Sequence, residues 1–457
     1  MRRAKAIPVS IGCIMCLIVL FAQPVTYVIG SQPLIGSDVL WHRTFGGALG
    51  DYGNDILERQ GGGYVIVGGT LSSGITHTDM LLIGCNWDGN QLWNRTIGGP
   101  NDDVGYAIIE CTGGGFAVTG YSRSNPSGRS DAWLVRTTAD GTHLWNRSFG
   151  GLDNDQGFDI IEVESGGFAL IGSTRSYGSE DPVTHLQTYD IWLIRTDAIG
   201  NILWNRTYGE TGDDIGRSLV ELNDGGFLLL GEINSSFATL DHSGQYTEYH
   251  PDAWLLRTNE AGELLWNQTY GGEENDFIRS VALDADGGFT IVGFTNSYGT
   301  STYDGWLLFT ASDGAEENRI TYGSLADDYF RTLLECEPNG YALIGYTYFS
   351  SSADLWLTRT NTEGDSLWTR VYGGPEDDVI RGGILSRGDF ILIGYTFSFG
   401  AGSRDVWLVK ISDEPPFANP FLTAVPMILF VSGIIFAVLI LVTTYFLYKR
   451  RGNRIST

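Results

Sequence analysis

Histidine and recognisable catalytic motifs are scarce in this chain of 457 residues. No Ser/His/Asp order, metal-ligand spacing or glycine-rich phosphate loop is present, so the sequence predicts a protein that is not an enzyme. The six histidines are scattered along the chain: His42, His77, His143, His185, His242 and His250.

Cysteine is also scarce. Of the five cysteines, Cys13 and Cys16 fall in an apolar N-terminal stretch, which leaves Cys85, Cys111 and Cys336. These three are widely separated, so no disulfide framework is predicted.

Basic residues are half as frequent as acidic ones, with 28 Lys and Arg against 54 Asp and Glu. Seven of the basic residues, and no acidic one, lie outside residues 31–418, so that segment carries a net charge of −33. Such an acidic surface repels nucleic acid and anionic lipid, which are therefore disfavoured as partners, and no nucleic acid is predicted to bind. Solvation of a large exterior domain explains the charge more simply than a cation-specific role.

A repeat of about 50 residues fills the rest of the chain, a period typical of propellers and solenoids. The core of the repeat contains a Gly-Gly loop with an Asp, an apolar run, Gly-Gly-Phe, a second apolar run and Asp-x-Trp-Leu, with substitutions in individual copies. Seven copies are counted on the Asp that follows the loop: Asp51, Asp103, Asp155, Asp214, Asp276, Asp328 and Asp378.

Each copy shows the pattern of four strands. In the third copy, residues 156–163, 167–172, 191–196 and 202–208 are short runs of β-branched and aromatic residues, bounded by Gly, Asp, Asn or Ser. A glycine closes the turn between the third and fourth strands, which predicts a tight hairpin and a four-stranded meander. This glycine recurs as Gly89, Gly141, Gly200, Gly262, Gly314 and Gly364.

The two ends of the repeat region predict a closed ring. The seventh copy stops after its third strand, at residues 405–410, whereas residues 39–45 form a strand with no unit of its own. Pairing this strand onto the seventh copy removes both open edges. We therefore predict an all-β fold, a seven-bladed β-propeller of four-stranded antiparallel blades closed by the N-terminal strand.

The order Gly-Gly-x-x-x-Asp, Gly-Gly-Phe and Gly-x-Thr, seen at residues 271–295, resembles the secreted β-propeller repeats of bacteria and archaea over residues 39–412. That resemblance implies a propeller at the cell surface and supplies no activity.

A second, partial resemblance is to the tryptophan-docking repeats of quinoproteins, through Asp197-x-x-Gly200-x-x-x-Trp204. It implies that one Trp per blade packs between neighbouring blades, with looser packing in the sixth copy, where Asn318 replaces it. The tryptophans concerned are Trp41, Trp93, Trp145, Trp204, Trp266 and Trp368.

The chain ends predict a single-pass membrane protein. Residues 1–30 have the basic start and apolar stretch of a signal peptide. Residues 421–448 carry no charge and are followed by a basic tail at 449–457, as expected of a membrane-spanning helix with a cytoplasmic tail. The propeller at 31–415, joined by a linker at 416–420, would then lie outside the cell membrane.

The repeated Asp is best explained as a structural residue that caps a turn or accepts backbone N–H groups at each blade junction. Calcium is the alternative, since further acids stand beside it at Asp102, Asp213, Asp327 and Asp377, but no Asp-x-Asp-x-Asp-Gly spacing supports it and no cofactor is predicted. In blades four to seven an arginine follows three residues later, where an ion-pair ring with neighbouring Asp residues is expected: Arg217, Arg279, Arg331 and Arg381.

Five sequons make the chain a candidate glycoprotein. Four belong to the repeat itself, where an outward Asn and Thr would look the same without a glycan. The asparagines are Asn94, Asn146, Asn205, Asn234 and Asn267.

Two insertions break the sevenfold pattern, at residues 175–189 in the third copy and 234–251 in the fourth. Both join second to third strands and should rise on the face that carries the repeated Asp. Their aromatic and imidazole side chains suit a glycan or protein ligand: Tyr177, His185, Tyr189, His242, Tyr246, Tyr249 and His250.

The sequence therefore predicts a cell-surface binding or adhesion module for extracellular glycans or proteins. Two alternatives remain: an extracellular enzyme, active on glycans or peptides at the propeller mouth, and a purely structural envelope protein. Surface insertions without any role in ligand binding would explain the two loops equally well.

Overall fold

The computed structural model describes residues 38–72, 76–124, 129–181, 185–234, 250–300, 302–336, 340–349 and 351–413. The predicted signal peptide, linker, membrane-spanning helix and tail lie outside these residues. Within the described part of the chain, no helix is long and apolar enough to cross a membrane.

Among the described residues, twenty-eight strands form seven antiparallel sheets of four strands, so the seven-bladed β-propeller is confirmed. Blade 1 contains β2 (Asp51–Glu58), β3 (Tyr64–Thr70), β4 (Asp79–Cys85) and β5 (Gln91–Ile97). Blade 2 contains β6 (Asp103–Glu110), β7 (Phe116–Ser122), β8 (Asp131–Thr137) and β9 (His143–Phe149). Blade 3 contains β10 (Asp155–Glu162), β11 (Phe168–Thr174), β12 (Asp190–Thr196) and β13 (Ile202–Tyr208).

Blade 4 contains β14 (Ile215–Glu221), β15 (Phe227–Ile233), β16 (Asp252–Thr258) and β17 (Leu264–Tyr270). Blade 5 contains β18 (Asp276–Leu283), β19 (Phe289–Thr295), β20 (Asp304–Thr310) and β21 (Glu316–Tyr322). Blade 6 contains β22 (Asp328–Glu335), β23 (Tyr341–Thr347), β24 (Asp354–Thr360) and β25 (Ser366–Tyr372). Blade 7 contains β26 (Asp378–Ser386), β27 (Asp389–Thr396) and β28 (Asp405–Ser412), followed by β1 (Val39–Phe45).

The ring closes where the sequence predicts. Strand β1 pairs antiparallel with β28, with Thr44 opposite Trp407 and Phe45 opposite Val406. The backbone N–H of Ser412 also donates to the Asp38 carbonyl at 2.9 Å. The N-terminal strand therefore completes blade 7 and covers the edge that β28 would otherwise expose.

The apolar core lies between the blades. The second and third strands of each blade are almost wholly buried, because both faces of these sheets are covered by neighbouring blades. Between blades 3 and 4, for example, Leu193 and Leu229 pack with Trp254. One blade cannot bury its faces alone, so the sheets are stable only as a closed set.

The outer rim is held by the repeated tryptophans. Gly89 has a φ of 73°, and a Cβ at this position would come within 2.6 Å of the Trp41 ring of the preceding blade. The same close approach joins Trp204 to Gly262. Glycine is therefore required twice over, for the backbone conformation and for the space that the ring fills.

The missing tryptophan lies on β21, the outer strand of blade 5, and an aliphatic side chain takes its place against blade 6. Asn318 occupies the Trp position, but the side chain of Ile320 lies over Gly364 instead. The junction between blades 5 and 6 is thus covered by an aliphatic side chain two residues further along β21, and the looser packing expected here is not found at Gly364.

Candidate binding site at the propeller axis

Each first strand carries a β-bulge at the third residue after its repeated Asp. In β2, Gly53 pairs with Gly68 and Asp55 with Val67, which leaves Asn54 as the extra residue. Bulges change the direction of a side chain. The seven bulge residues, in blade order, are Asn54, Tyr106, Phe158, Arg217, Arg279, Arg331 and Arg381.

These residues surround the propeller axis, because each first strand lies beside the first strands of both neighbouring blades. Their side chains also contact across the blade boundaries. Arg381 donates to the Asn54 amide oxygen at 2.6 Å, the rings of Tyr106 and Phe158 are 5.2 Å apart, and the Arg217 guanidinium lies 5.0 Å from the Phe158 ring centre.

Four of the seven are arginines in consecutive blades, and we call Arg217, Arg279, Arg331 and Arg381 the arginine collar. Glu232 of β15 binds the first two: its Oε1 accepts from Arg217 Nε at 3.0 Å, and Arg279 donates to the same oxygen. Burial would raise the pKa of Glu232, but the charges of the two arginines outweigh it and hold the pKa below its usual range.

The other two collar residues contact aromatic rings instead of carboxylates. Arg331 donates to the Tyr346 hydroxyl at 3.1 Å and lies 5.7 Å from the Phe294 ring centre. Arg381 lies 5.2 Å from the centre of Tyr52. These are cation–π distances, and such contacts satisfy a cation only in part because they leave guanidinium N–H groups unpaired.

The expectation of ion pairs between the arginine collar and the repeated Asp residues is wrong. Among the described residues, Glu232 is the only acid that pairs with a collar arginine. The repeated Asp carboxylates are engaged at the strand starts, three residues away, whereas the bulge turns the arginines toward the axis. Spacing along one strand does not show which acid on a neighbouring strand completes a pair.

The face of the ring at which the first strands start, here called the Asp face, also carries an aromatic rim in blades 6 and 7. Tyr348, Phe349 and Phe397 follow the second strands and are 40%, 56% and 44% exposed. Beneath them, Tyr346 stacks on Tyr329, whose ring centre is 4.8 Å away. The Arg404 guanidinium lies 4.5 Å from the centre of Tyr52. Aromatic and guanidinium groups thus meet at this mouth of the axis.

The repeated Asp residues accept backbone N–H groups at all seven junctions. Asp103 Oδ2, for example, accepts from the Gly99 N–H at 2.7 Å and from the Ser124 hydroxyl at 2.7 Å. The corresponding backbone bond is made to Asp51, Asp155, Asp214, Asp276, Asp328 and Asp378. Each carboxylate therefore fixes the loop that precedes its strand.

A second set of acids, which the sequence analysis did not single out, faces the first across each junction. These residues begin the third strands: Asp79, Asp131, Asp190, Asp252, Asp304, Asp354 and Asp405. A Cβ at Gly150 would lie 2.5 Å from an Asp131 oxygen and 2.6 Å from an Asp155 oxygen. The recurring Asp-x-Trp-Leu motif was the signal that could have revealed them.

Burial raises the pKa of several of the carboxyls that begin the third strands. Burial, with a further contribution from Asp276, raises the pKa of Asp252 to about 6. Burial likewise raises the pKa of Asp79, with Asp103 adding to the effect. Asp252 and Asp79 therefore release their protons at a higher pH than a free aspartate does.

The additional acids beside the repeated Asp have a structural contact. Asp102 accepts the Thr78 N–H at 3.0 Å and Asp213 accepts the Tyr189 N–H at 2.9 Å. Asp327 and Asp377 do the same for Tyr303 and Ala353. In the part of the chain that the structure covers, no group of three or more metal-ligating side chains is placed to hold an ion.

Four of the seven predicted ligand residues in the insertions are described. Tyr177 is part of the blade packing: its ring lies 5.5 Å from Trp192 and its hydroxyl donates to the Gly150 carbonyl at 2.9 Å. His185 is exposed and contacts Glu180 at 2.8 Å. Tyr189 lies under the Arg175 guanidinium.

The fourth, His250, is 3.5 Å from Glu274. His242, Tyr246 and Tyr249 lie outside the described residues. Both insertions leave from the Asp face, since Thr174 pairs with Asp155 and Asp190 at that end of blade 3. The described ends of the insertions therefore lie on the same face as the aromatic rim.

The four repeat sequons lie on outer strands with exposed asparagines. The Oδ1 atoms of Asn205 and Asn267 accept from the indole N–H groups of Trp192 and Trp254, at 3.2 and 3.1 Å. This contact orients the side-chain amide and gives the Asn a structural role. Glycosylation stays a prediction.

Comparison with known proteins gives distant likenesses. No known family profile matches the chain. An alignment of 200 positions that covers 37% of the chain is 26% identical to the regulatory protein FlaEY of Caulobacter vibrioides. An alignment of 294 positions that covers 56% of the chain is 19% identical to an uncharacterized WD repeat-containing protein of Acanthamoeba polyphaga mimivirus. The matched segments cover 21% and 20% of those proteins, so the chain spans about a fifth of their length.

Among solved structures, the WD40 β-propeller domain of Doa1 is 12% identical, with a TM-score of 0.48. The match covers 81% of this chain and 96% of that one. Likenesses at this distance transfer no activity, ligand or partner, so the functional argument depends on the residues themselves.

Proposed function

We propose that this protein is a recognition module at the cell surface, anchored by residues 421–448, that binds an extracellular glycan or protein at the axial mouth of its Asp face. One observation carries this proposal: the sevenfold repeat is broken around the axis, where blades 4 to 7 supply arginines and the others do not. A ligand site has to differ from positions that only repeat the fold.

The chemistry of the mouth supports recognition. Exposed aromatic side chains at the rim offer apolar area with little conformational entropy to lose, and arginines are enriched where binding energy is concentrated. The insertions of blades 3 and 4 leave from the same face, so a partner at the axis would also meet them. The axial mouth and the insertions are thus two parts of one proposed surface.

A binding screen of residues 31–418 against glycans and surface proteins tests the proposal. A variant with Phe349→Ala and Phe397→Ala should lose the binding found for the wild type by tenfold or more. The matched control is Leu92→Ala with Leu144→Ala, since these side chains are equally exposed but lie on outer strands away from the axis. Unchanged binding by the variant with Phe349→Ala and Phe397→Ala would show that the binding site does not lie at the mouth.

The cellular location needs its own experiment. Protease added to intact cells should remove the propeller and leave the C-terminal tail protected, because the predicted orientation places only residues 449–457 inside. A propeller that is protected in intact cells and cleaved only after lysis would contradict the proposed orientation.

A further inference from the structure

The arginine collar carries an excess of positive charge inside a strongly acidic domain. Glu232 balances one of its four arginines, and among the described residues Arg331 and Arg381 have no carboxylate partner. The segment 31–418 nevertheless contains 54 acidic residues. A cationic centre that the fold leaves uncompensated attracts negative charge.

Unpaired hydrogen-bond donors of the collar also indicate a binding site for an anion. The Nε atoms of Arg279 and Arg331 are buried and donate no hydrogen bond to any described residue. Unmade hydrogen bonds of buried charged groups are costly, so they call for a partner. A guanidinium fork pairs with carboxylate, sulfate or phosphate oxygens, which accept two parallel N–H bonds.

We propose that the arginine collar binds an oxyanion group, a carboxylate, sulfate or phosphate, of a ligand that enters through the Asp face. Arg331 extends toward that face, where it donates to Tyr346, and Arg404 lies at the mouth beside Tyr52. The anion accepts from Arg331 and Arg381, and the rim aromatics contact the rest of the ligand. This inference rests on the proposed function, since it assigns the ligand chemistry of the same site.

Calorimetric titration of the full-length protein in detergent tests the collar, with sulfate, phosphate and acetate as separate probes at constant ionic strength. We expect saturable binding of at least one probe with a dissociation constant of about 1 mM or below. The preferred probe distinguishes a tetrahedral anion from a carboxylate. Absence of saturable binding for all three probes would overturn the inference.

Arg331→Leu and Arg381→Leu should each weaken this binding about tenfold or more, since each removes one charge-assisted contact. Arg147→Leu is the matched control, because it removes the same charge from the outer rim, where Arg147 stacks on Trp145. Equal weakening by all three variants would show a general charge effect and contradict a built site.

A measurement without variants covers the case in which these proteins fail to fold. Phenylglyoxal modifies accessible arginines, and mass spectrometry reports each site. The bound anion should protect Arg331 and Arg381 and leave Arg147 unchanged, and lack of such protection would overturn the inference. Partner binding by the screen above, without anion binding here, would leave the proposed function standing and remove only this ligand chemistry.

Discussion

Removing the negative charge of Glu232 should destabilise the propeller at its axis. The Glu232 side chain is 4% exposed and accepts hydrogen bonds from both Arg217 and Arg279. Glu232→Gln keeps the shape of the side chain and removes its charge. Arg279, whose side chain is 11% exposed, would then be a buried cation without a counter-ion.

The size of the loss follows from this burial. Breaking a buried ion pair by removing one partner costs about 3–5 kcal/mol, since the remaining charge is desolvated and unpaired. Arg217 is 28% exposed and water can partly replace its partner, so Arg279 should account for most of the loss. We therefore expect the free energy of unfolding to fall by about 3–5 kcal/mol.

Equilibrium urea unfolding, followed by tryptophan fluorescence and circular dichroism, measures the change. The control is Asp153→Asn, which removes a surface pair with Arg129 at 3.8 Å and should cost less than about 1 kcal/mol. The double variant Glu232→Leu with Arg279→Leu removes both charges, and it should recover much of the lost stability.

An equal, small loss for Glu232→Gln and Asp153→Asn would refute the reasoning. It would mean that solvent or the aromatic rings compensate Arg279 without Glu232. The charge excess assigned to the collar would then have no energetic consequence.

Three further changes test the closure of the ring, the packing of the repeated tryptophans and the paired carboxyls. Deleting residues 31–46 removes β1, and we expect aggregation or loss of the cooperative melt because the β28 edge becomes exposed; a monomer with the wild-type melting temperature would contradict ring closure. Trp204→Ala should lower the free energy of unfolding by about 2–3 kcal/mol. This loss is smaller than that expected for a fully buried ring, because Trp204 is half-buried. The control Leu203→Ala, at an adjacent side chain that is 59% exposed, should change the free energy of unfolding by less than about 0.5 kcal/mol in the same urea assay. The raised pKa of Asp252 contributes stability that is complete below pH 3.8 and is lost as the pH rises through about 6. Asp252→Asn should therefore gain stability relative to the wild type between pH 4 and pH 8. A difference in melting temperature that does not change with pH would contradict this prediction.

Much of the fold could be predicted because the information is local and repeated. The strands of the third copy agree with β10 to β13 within two residues, and the hairpin glycines have positive φ, as at Gly200 with 81°. Apolar runs bounded by turn residues specify strands by short-range chemistry, and seven copies make the pattern easy to separate from chance. The closure followed from one missing and one surplus strand.

The site was less accessible from the sequence. The four collar arginines were noticed, but their partners were predicted incorrectly, because Glu232 lies on the second strand of blade 4 and reaches Arg279 of blade 5 across the junction. The aromatic rim was missed for a similar reason: Tyr348 and Phe397 belong to different copies, and only formation of the ring brings these copies side by side. Tyr177, predicted as a ligand residue, packs on Trp192.

The number of blades and their four strands could be read from the sequence alone, since each follows from hydrogen-bonding and burial patterns within about 50 residues, and the closing strand followed from one surplus and one missing strand. The contents of the axis, in contrast, depend on the tertiary structure. Seven bulges, each unremarkable within its own repeat, place Asn54, Tyr106, Phe158 and four arginines in one ring, because closure of the circle brings residues hundreds of positions apart into contact, as with Arg381 and Asn54 at 2.6 Å.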